Sequence, residues 1–136
     1  MSAESPISPT GSKPKSQVYE GGCHCGAVKY TVKISPPIEE GPVTSCNCSI
    51  CHINGYLMVY PLDSNITWQS GFDGMTKYSF GQKRVMHSFC PKCGTAIGCK
   101  SGDPNFFADN RAINVRTLQG VDLDKLKLRK VNGRAS

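Results

Sequence analysis

Seven of the chain's eight cysteines fall into three tight clusters: Cys23-His24-Cys25, Cys46-Asn47-Cys48-Ser49-Ile50-Cys51 and Cys90-Pro91-Lys92-Cys93. This spacing constrains the fold more than any other feature, because sulfurs two or three residues apart point at one locus. Four thiolates enclose a structural zinc, whereas three leave one coordination position open for chemistry. The outer pairs, Cys23/Cys25 and Cys90/Cys93, supply a set of four. The middle cluster, Cys46, Cys48 and Cys51, supplies a set of three. The pattern therefore predicts two Zn2+ per chain, one closed site and one open.

A disulfide framework is the competing reading of eight cysteines in 136 residues. Residues 1–17 contain no apolar stretch of the kind a secretory signal needs, which points to a cytoplasmic protein with reduced thiols. Cysteines this close along the chain pair poorly with one another. Metal binding is the stronger expectation.

A chain of 136 residues suits one domain with a modest core. Residues 1–17, rich in Ser, Pro and Lys, read as a disordered tail, 18–131 as the folded zinc-binding domain, and 132–136 as a short C-terminal tail. No apolar run approaches the roughly 18 residues that a membrane span requires, so no membrane partner is expected. The formal net charge is +6, of which the first 17 residues carry +1 and residues 121–136 carry +3. Ionising seven thiols onto two zinc ions would bring the remaining body from +2 to about −1. Nucleic acid is accordingly not an expected partner, and the basic C-terminal residues read as a solvated strand edge.

The local patterns describe many short strands. Residues 27–34 alternate apolar and polar side chains with the period of a half-buried strand. Further strands are expected at 55–60, 66–68, 76–80, 85–89 and 112–115, with 71–74 as a turn and 81–84 as a hairpin loop. Asp122–Leu126 suits one helical turn, and no long amphipathic helix is evident. The expected class is mainly β.

In the closed site, Cys23 and Cys25 on an extended strand would share a face, with His24 turned away. Cys90–Gly94 reads as a knuckle turn, Gly94 permitting the backbone bend that brings amide N–H groups to the sulfurs. The open site reads as a tight loop, with His52 and then Cys99 as candidates for a fourth ligand that would close it. Cys99 also reads as a buried apolar residue. Three thiolates on zinc leave a net charge of −1, so a bound water is acidified less than on a His-ligated zinc. Such a site favours a soft thiol as its fourth ligand, which points to chemistry between a thiol and a small electrophile.

The run Val18–Cys25 (VYEGGCHC) with Gly26-Ala27-Val28, then CNCSIC at 46–51 and FCPKCGTAI at 89–97, resembles the glutathione-dependent formaldehyde-activating enzyme family, which also includes centromere protein V. The resemblance runs over roughly residues 18–131. It implies the Mss4-like fold of small antiparallel sheets, a structural zinc on Cys23, Cys25, Cys90 and Cys93, and a catalytic zinc on Cys46, Cys48 and Cys51. The implied activity is that of a carbon–sulfur lyase handling the adduct of a glutathione-like thiol with an aldehyde. A zinc-stabilised binding module without catalysis is the alternative that the same fold permits. Here the third cysteine is followed by His52-Ile53-Asn54-Gly55 instead of the family's usual basic residues and Ser-Gly, which makes Asn54 a candidate substrate contact. Glutathione's carboxylates would call for cations, and Arg84, Lys83, Arg111 and Arg116 are the candidates, each also readable as surface charge. His87, near the FCPKC turn, is the candidate proton carrier or, alternatively, a polar strand residue. Trp68 is expected in the core.

Overall fold

The computed structural model describes residues 15–80, 85–105 and 107–133. Among the described residues ten strands form two sheets, with one short α-helix beside them. The strands are β1 (Gln17–Gly22), β2 (Lys29–Ile34), β3 (Pro42–Cys46), β4 (Met58–Val59), β5 (Ile66–Ser70), β6 (Thr76–Tyr78), β7 (Val85–Phe89), β8 (Ala96–Ser101), β9 (Arg111–Asn114) and β10 (Lys127–Val131). The helix α1 spans Ser49–Asn54. One sheet has the order β1-β2-β5 and the other β10-β3-β4-β9-β8-β7-β6. The class is mainly β, as the residue patterns anticipate. Among the described residues the strand pairings are antiparallel except that of β10 with β3, which is parallel, a departure from the purely antiparallel expectation.

The alternation in β2 sends Tyr30, Val32 and Ile34 inward, each buried, while Lys29 and Lys33 stay in solvent. They meet Val43 of β3, Ile97 of β8 and Ile113 of β9 in one core between the sheets. Tyr30 is fully buried, and its hydroxyl lies 2.6 Å from Thr117 Oγ1, which itself donates to the Asn114 carbonyl. Trp68, expected in the core, is partly buried and packs against it, 5.0 Å from the Tyr30 ring.

Several boundaries differ from the sequence reading. The strand expected at 55–60 shrinks to Met58–Val59, because Gly55 takes the left-handed conformation (φ 64°) that ends α1. The strands at 76–80 and 85–89 form the antiparallel pair β6–β7, and the loop expected at 81–84 lies outside the described residues. The turn at 122–126 is a 3-10 turn over Leu123–Lys125. Residues 1–14 of the expected tail lie outside the described residues. Its last residue, Gln17, opens β1, and Lys15 meets Glu40 at 3.7 Å. The basic strand β10 is exposed throughout and forms the outer edge of the larger sheet. Among the described residues, no helix is long and apolar enough to cross a membrane.

Candidate metal centres and the adjoining pocket

The four outer cysteines converge where β1 turns into β2 and where β7 turns into β8. Cys23 and Cys25 sit in that first turn, not on a strand as the sequence suggested. Gly26 (φ 86°) bends the chain there, and Cys23 N–H donates to the Val28 carbonyl at 3.0 Å. The second turn is the anticipated knuckle: Gly94 (φ 77°) donates its N–H to the Cys90 carbonyl at 2.8 Å. Amide groups reach the sulfurs, Val28 N to Cys23 Sγ at 3.2 Å and Lys92 N to Cys90 Sγ at 3.4 Å. All four sulfurs lie within 4.8 Å of one another, with Cys23–Cys25 and Cys25–Cys90 at 3.6 Å.

That spacing identifies the chemistry the cluster suits. Disulfide sulfurs would sit ~2.05 Å apart. A tetrahedral zinc with bonds of ~2.3 Å places its sulfurs ~3.8 Å apart, close to the separations found. All eight cysteines are free thiols. The Thr95 hydroxyl, 3.2 Å from Cys93 Sγ, pulls that thiol down to about 5, so the anionic form that a metal needs is favoured.

The middle cluster is assembled by three different local devices, where the sequence had suggested one loop. Cys46 ends β3, Cys48 is the N-cap of α1, and Cys51 lies in the helix's first turn. The three sulfurs again lie within 4.8 Å of one another. Burial opposes ionisation of Cys48, but the Cys51 amide and the neighbouring sulfurs bring its thiol down. Burial and then the Cys48 sulfur push Cys51 up. Three thiolates packed this closely repel, and a divalent cation is the group that would relieve the repulsion. Among the described residues no fourth His, Cys, Asp or Glu joins the three. His52 instead lines a cleft of about 340 Å³ beside Cys46, with Asn47, Lys130 and Asn132. Cys99 packs among Tyr56, Met58 and Ala112, and burial raises its thiol to about 11.

The C-terminal strand completes this site, which sequence reasoning missed. Val131 aligns with Cys46 in the parallel pairing, its carbonyl accepts from Asn47 N–H at 3.1 Å, and Asn132 Oδ1 accepts from Asn47 Nδ2 at 3.0 Å. Gly133 then passes so close that a Cβ there would lie 2.5 Å from Cys46 Sγ.

On the neighbouring side, α1 and the β6–β7 pair enclose a pocket of about 410 Å³. The structure brings two candidates together here, Asn54 and His87. His87 is buried, and Tyr56, also in the lining, places its hydroxyl 3.2 Å from His87 Nδ1. Burial lowers the His87 pKa, favouring the neutral ring. Burial pushes the Tyr56 hydroxyl up to about 12, the Asn54 side chain pulls it back, and Cys99 and Cys51 add to the rise. Tyr56 thus connects the pocket to the three-cysteine cluster. No pattern signalled it, because it reads as one more apolar strand residue.

The other cationic candidates are placed elsewhere. Arg111 is buried, holds Asp63 at 2.8 Å, and lies over the rings of Trp68 (5.5 Å) and Phe72 (5.3 Å). Arg116 donates to the Gly55 carbonyl at 2.8 Å, tying down the end of α1. Lys83 and Arg84 lie outside the described residues.

Comparison with known proteins agrees with this geometry. Residues 18–127 match the family model described as glutathione-dependent formaldehyde-activating enzyme. A Halomonas elongata protein that carries this enzyme's name provisionally is 33% identical over 94 residues, covering 59% of this chain. The match spans 54% of that relative's length, so the chain aligns with about half of it. A crystal structure of a Rhodobacter sphaeroides protein superposes with a TM-score of 0.67 at 27% identity, covering 81% of this chain and 99% of that one. With a family model matched over most of its length, the chain belongs to the glutathione-dependent formaldehyde-activating enzyme family.

Proposed function

We propose that the chain is a zinc-dependent carbon–sulfur lyase-type enzyme that joins a thiol to a small aldehyde and, in reverse, cleaves the adduct back to thiol and aldehyde. The observation that carries this reading is the three-sulfur cluster with no fourth ligand among the described residues, beside a pocket that holds a neutral histidine. Cys46, Cys48 and Cys51 would hold the reactive zinc, and Cys23, Cys25, Cys90 and Cys93 the structural one. When bound at the open site, zinc supplies a soft acceptor that favours sulfur and stabilises its anionic form.

The chain's own residues do the rest. Asn47 and β10 hold the cysteine loop in register, and a reactant held by that loop would meet its partner at a reduced entropic cost. In the forward direction the thiol loses its proton, and its sulfur bonds to the carbonyl carbon. The carbonyl π pair moves to oxygen, which takes up a proton, giving R–S–CH2–OH from R–SH and formaldehyde with no other reagent. His87, neutral and held at Nδ1 by Tyr56, is suited to accept the thiol proton and return it to the oxygen. Asn54 can orient a polar group of the substrate from the pocket wall.

The family name makes glutathione and formaldehyde the first pair to assay. Hemithioacetal formation is followed by NMR exchange, wild type against Cys48→Ala. An enzyme-dependent rate that the variant lacks supports the proposal. Absence of any rate enhancement across thiols and aldehydes, with both metals loaded, would establish the non-catalytic binding module instead.

A further inference from the structure

The pocket between α1 and β6–β7 has a lining unlike that expected for a peptide thiol with two carboxylates. Its walls are aromatic and aliphatic: Ile50 and Ile53 on one side, Tyr78, Phe80 and Phe89 on the other, Tyr56 on the floor. Around the mouth Ile53 is 80% exposed, Tyr78 52% and Phe80 44%. Large apolar side chains left in water around a concavity mark a place where apolar surface is covered by a ligand. The rings are also ordered as a stack, Phe80 on His87 at 5.9 Å and 24°, and His87 on Tyr56 at 5.9 Å and 14°. Tyr78 continues the stack on Phe80 at 5.9 Å and 23°, so the mouth presents a wall of rings against which a planar group can pack.

The polar side chains of the described lining are the hydroxyls of Ser49, Ser88, Tyr56 and Tyr78, the Asn54 amide and the His87 imidazole. Among the described residues, no Lys, Arg, Asp or Glu contributes to it. Lys130 lines the other cleft, on the Cys46 side. A volume of about 410 Å³ is within the range of small-molecule sites, ~300–1,000 Å³, and is ample for one ring with a short arm.

We infer that this pocket binds an aromatic or branched aliphatic arm of the substrate, so that the preferred thiol (or its aldehyde adduct) is one that carries such an arm. The inference rests on the proposed thiol–aldehyde chemistry for its catalytic meaning, but the binding it asserts stands without turnover. Apolar area buried against Phe80, Tyr78 and Ile53 provides the affinity, and Asn54 with the Tyr56–His87 pair orients the polar end.

The test separates the two claims. Benzyl methyl sulfide, which cannot react, is titrated into zinc-loaded protein while the NMR signals of Tyr78, Phe80 and His87 are followed. Saturable binding that Phe80→Ala weakens about tenfold is the expected result for a ring lost from the wall. Ile53→Ser, at an exposed position, should weaken it in the same direction even if the Phe80 variant folds poorly. No saturable shift at millimolar probe overturns the inference. Kinetics then compare benzyl mercaptan with glutathione, each with formaldehyde. The expected KM is at least tenfold lower for benzyl mercaptan, with the preference reduced in Phe80→Ala. A lower KM for glutathione overturns the substrate assignment. Probe binding with no turnover of either thiol supports the pocket while overturning the catalytic reading.

Discussion

Replacing Gly133 by alanine probes whether the C-terminal strand sets the geometry of the open site. A Cβ at that position would lie 2.5 Å from Cys46 Sγ and 3.0 Å from Cys48 Cβ. Comfortable non-bonded contacts are ~3.5–4.0 Å, so about 1 Å of displacement is needed. Two responses are open. The Cys46 sulfur can turn away from its partners, or the strand end can lift off β3 and forfeit the Asn47 bonds to Val131 O and Asn132 Oδ1. Overpacking costs ~1–3 kcal/mol and each lost hydrogen bond ~0.5–1.5 kcal/mol, so both routes cost a similar amount. Because β10 is an exposed edge, relief is local and the core is untouched. The cost should then appear in the metal affinity of Cys46, Cys48 and Cys51 as a loss of roughly 5- to 150-fold. Zinc competition against a chromophoric chelator measures this, with metal content by mass spectrometry showing two ions per wild-type chain and a depleted second site in the variant. Gly120→Ala is the control: it strains a left-handed backbone (φ 76°), but its Cβ meets nothing within 4 Å. It should lower thermal stability without changing the second affinity. A Gly133→Ala protein that binds both ions within twofold of wild type would refute the argument.

Other perturbations have equally definite outcomes. Cys90→Ser removes a fully buried sulfur from the cluster that joins two distant parts of the chain, and loss of the proposed closed site should abolish cooperative melting by circular dichroism. Cys48→Ser should instead leave a folded protein holding one zinc. Burial holds the His87 pKa below its unfolded value of ~6.5, so on acidification the unfolded chain takes up a proton that the folded state resists. Its contribution to stability is full above about pH 6.5 and is lost below it as the pH falls toward the folded value. The stability of wild type relative to His87→Asn, which cancels the acid loss of thiolates common to both, should decline from pH 7 to 5.5 in urea unfolding. Asp63→Asn leaves the buried Arg111 guanidinium without its carboxylate. With Asp63 40% exposed, the loss should be about 1 kcal/mol by chemical denaturation, with no change in thiol KM.

The clusters themselves were legible because metal-ligand spacing is a local property, and so was the inward face of β2, because alternation is local too. Helix α1 was not, since six residues are too few to display a 3.6 period, and Cys48 and Cys51 therefore read as a loop. The turn at Cys23–Cys25 was missed for a related reason, as the bend depends on Gly26 and on a bond from Cys23 to Val28. Strand β8 contains Gly98, which breaks the pattern but lets the Ala112 carbonyl approach, since a Cβ there would lie 2.0 Å from it.

Spacing along the chain determined how many sulfurs each segment could offer and that two ions could be held. Only the tertiary structure decided what surrounds them. The parallel union of β10 with β3 brings Gly133 against Cys46 across 86 intervening residues, and folding α1 against β6–β7 sets Asn54, Tyr56 and His87 around one pocket. The reason is that ligand spacing is fixed by a few covalent bonds. The walls of a site come from strands whose pairing is settled by the burial of the whole core.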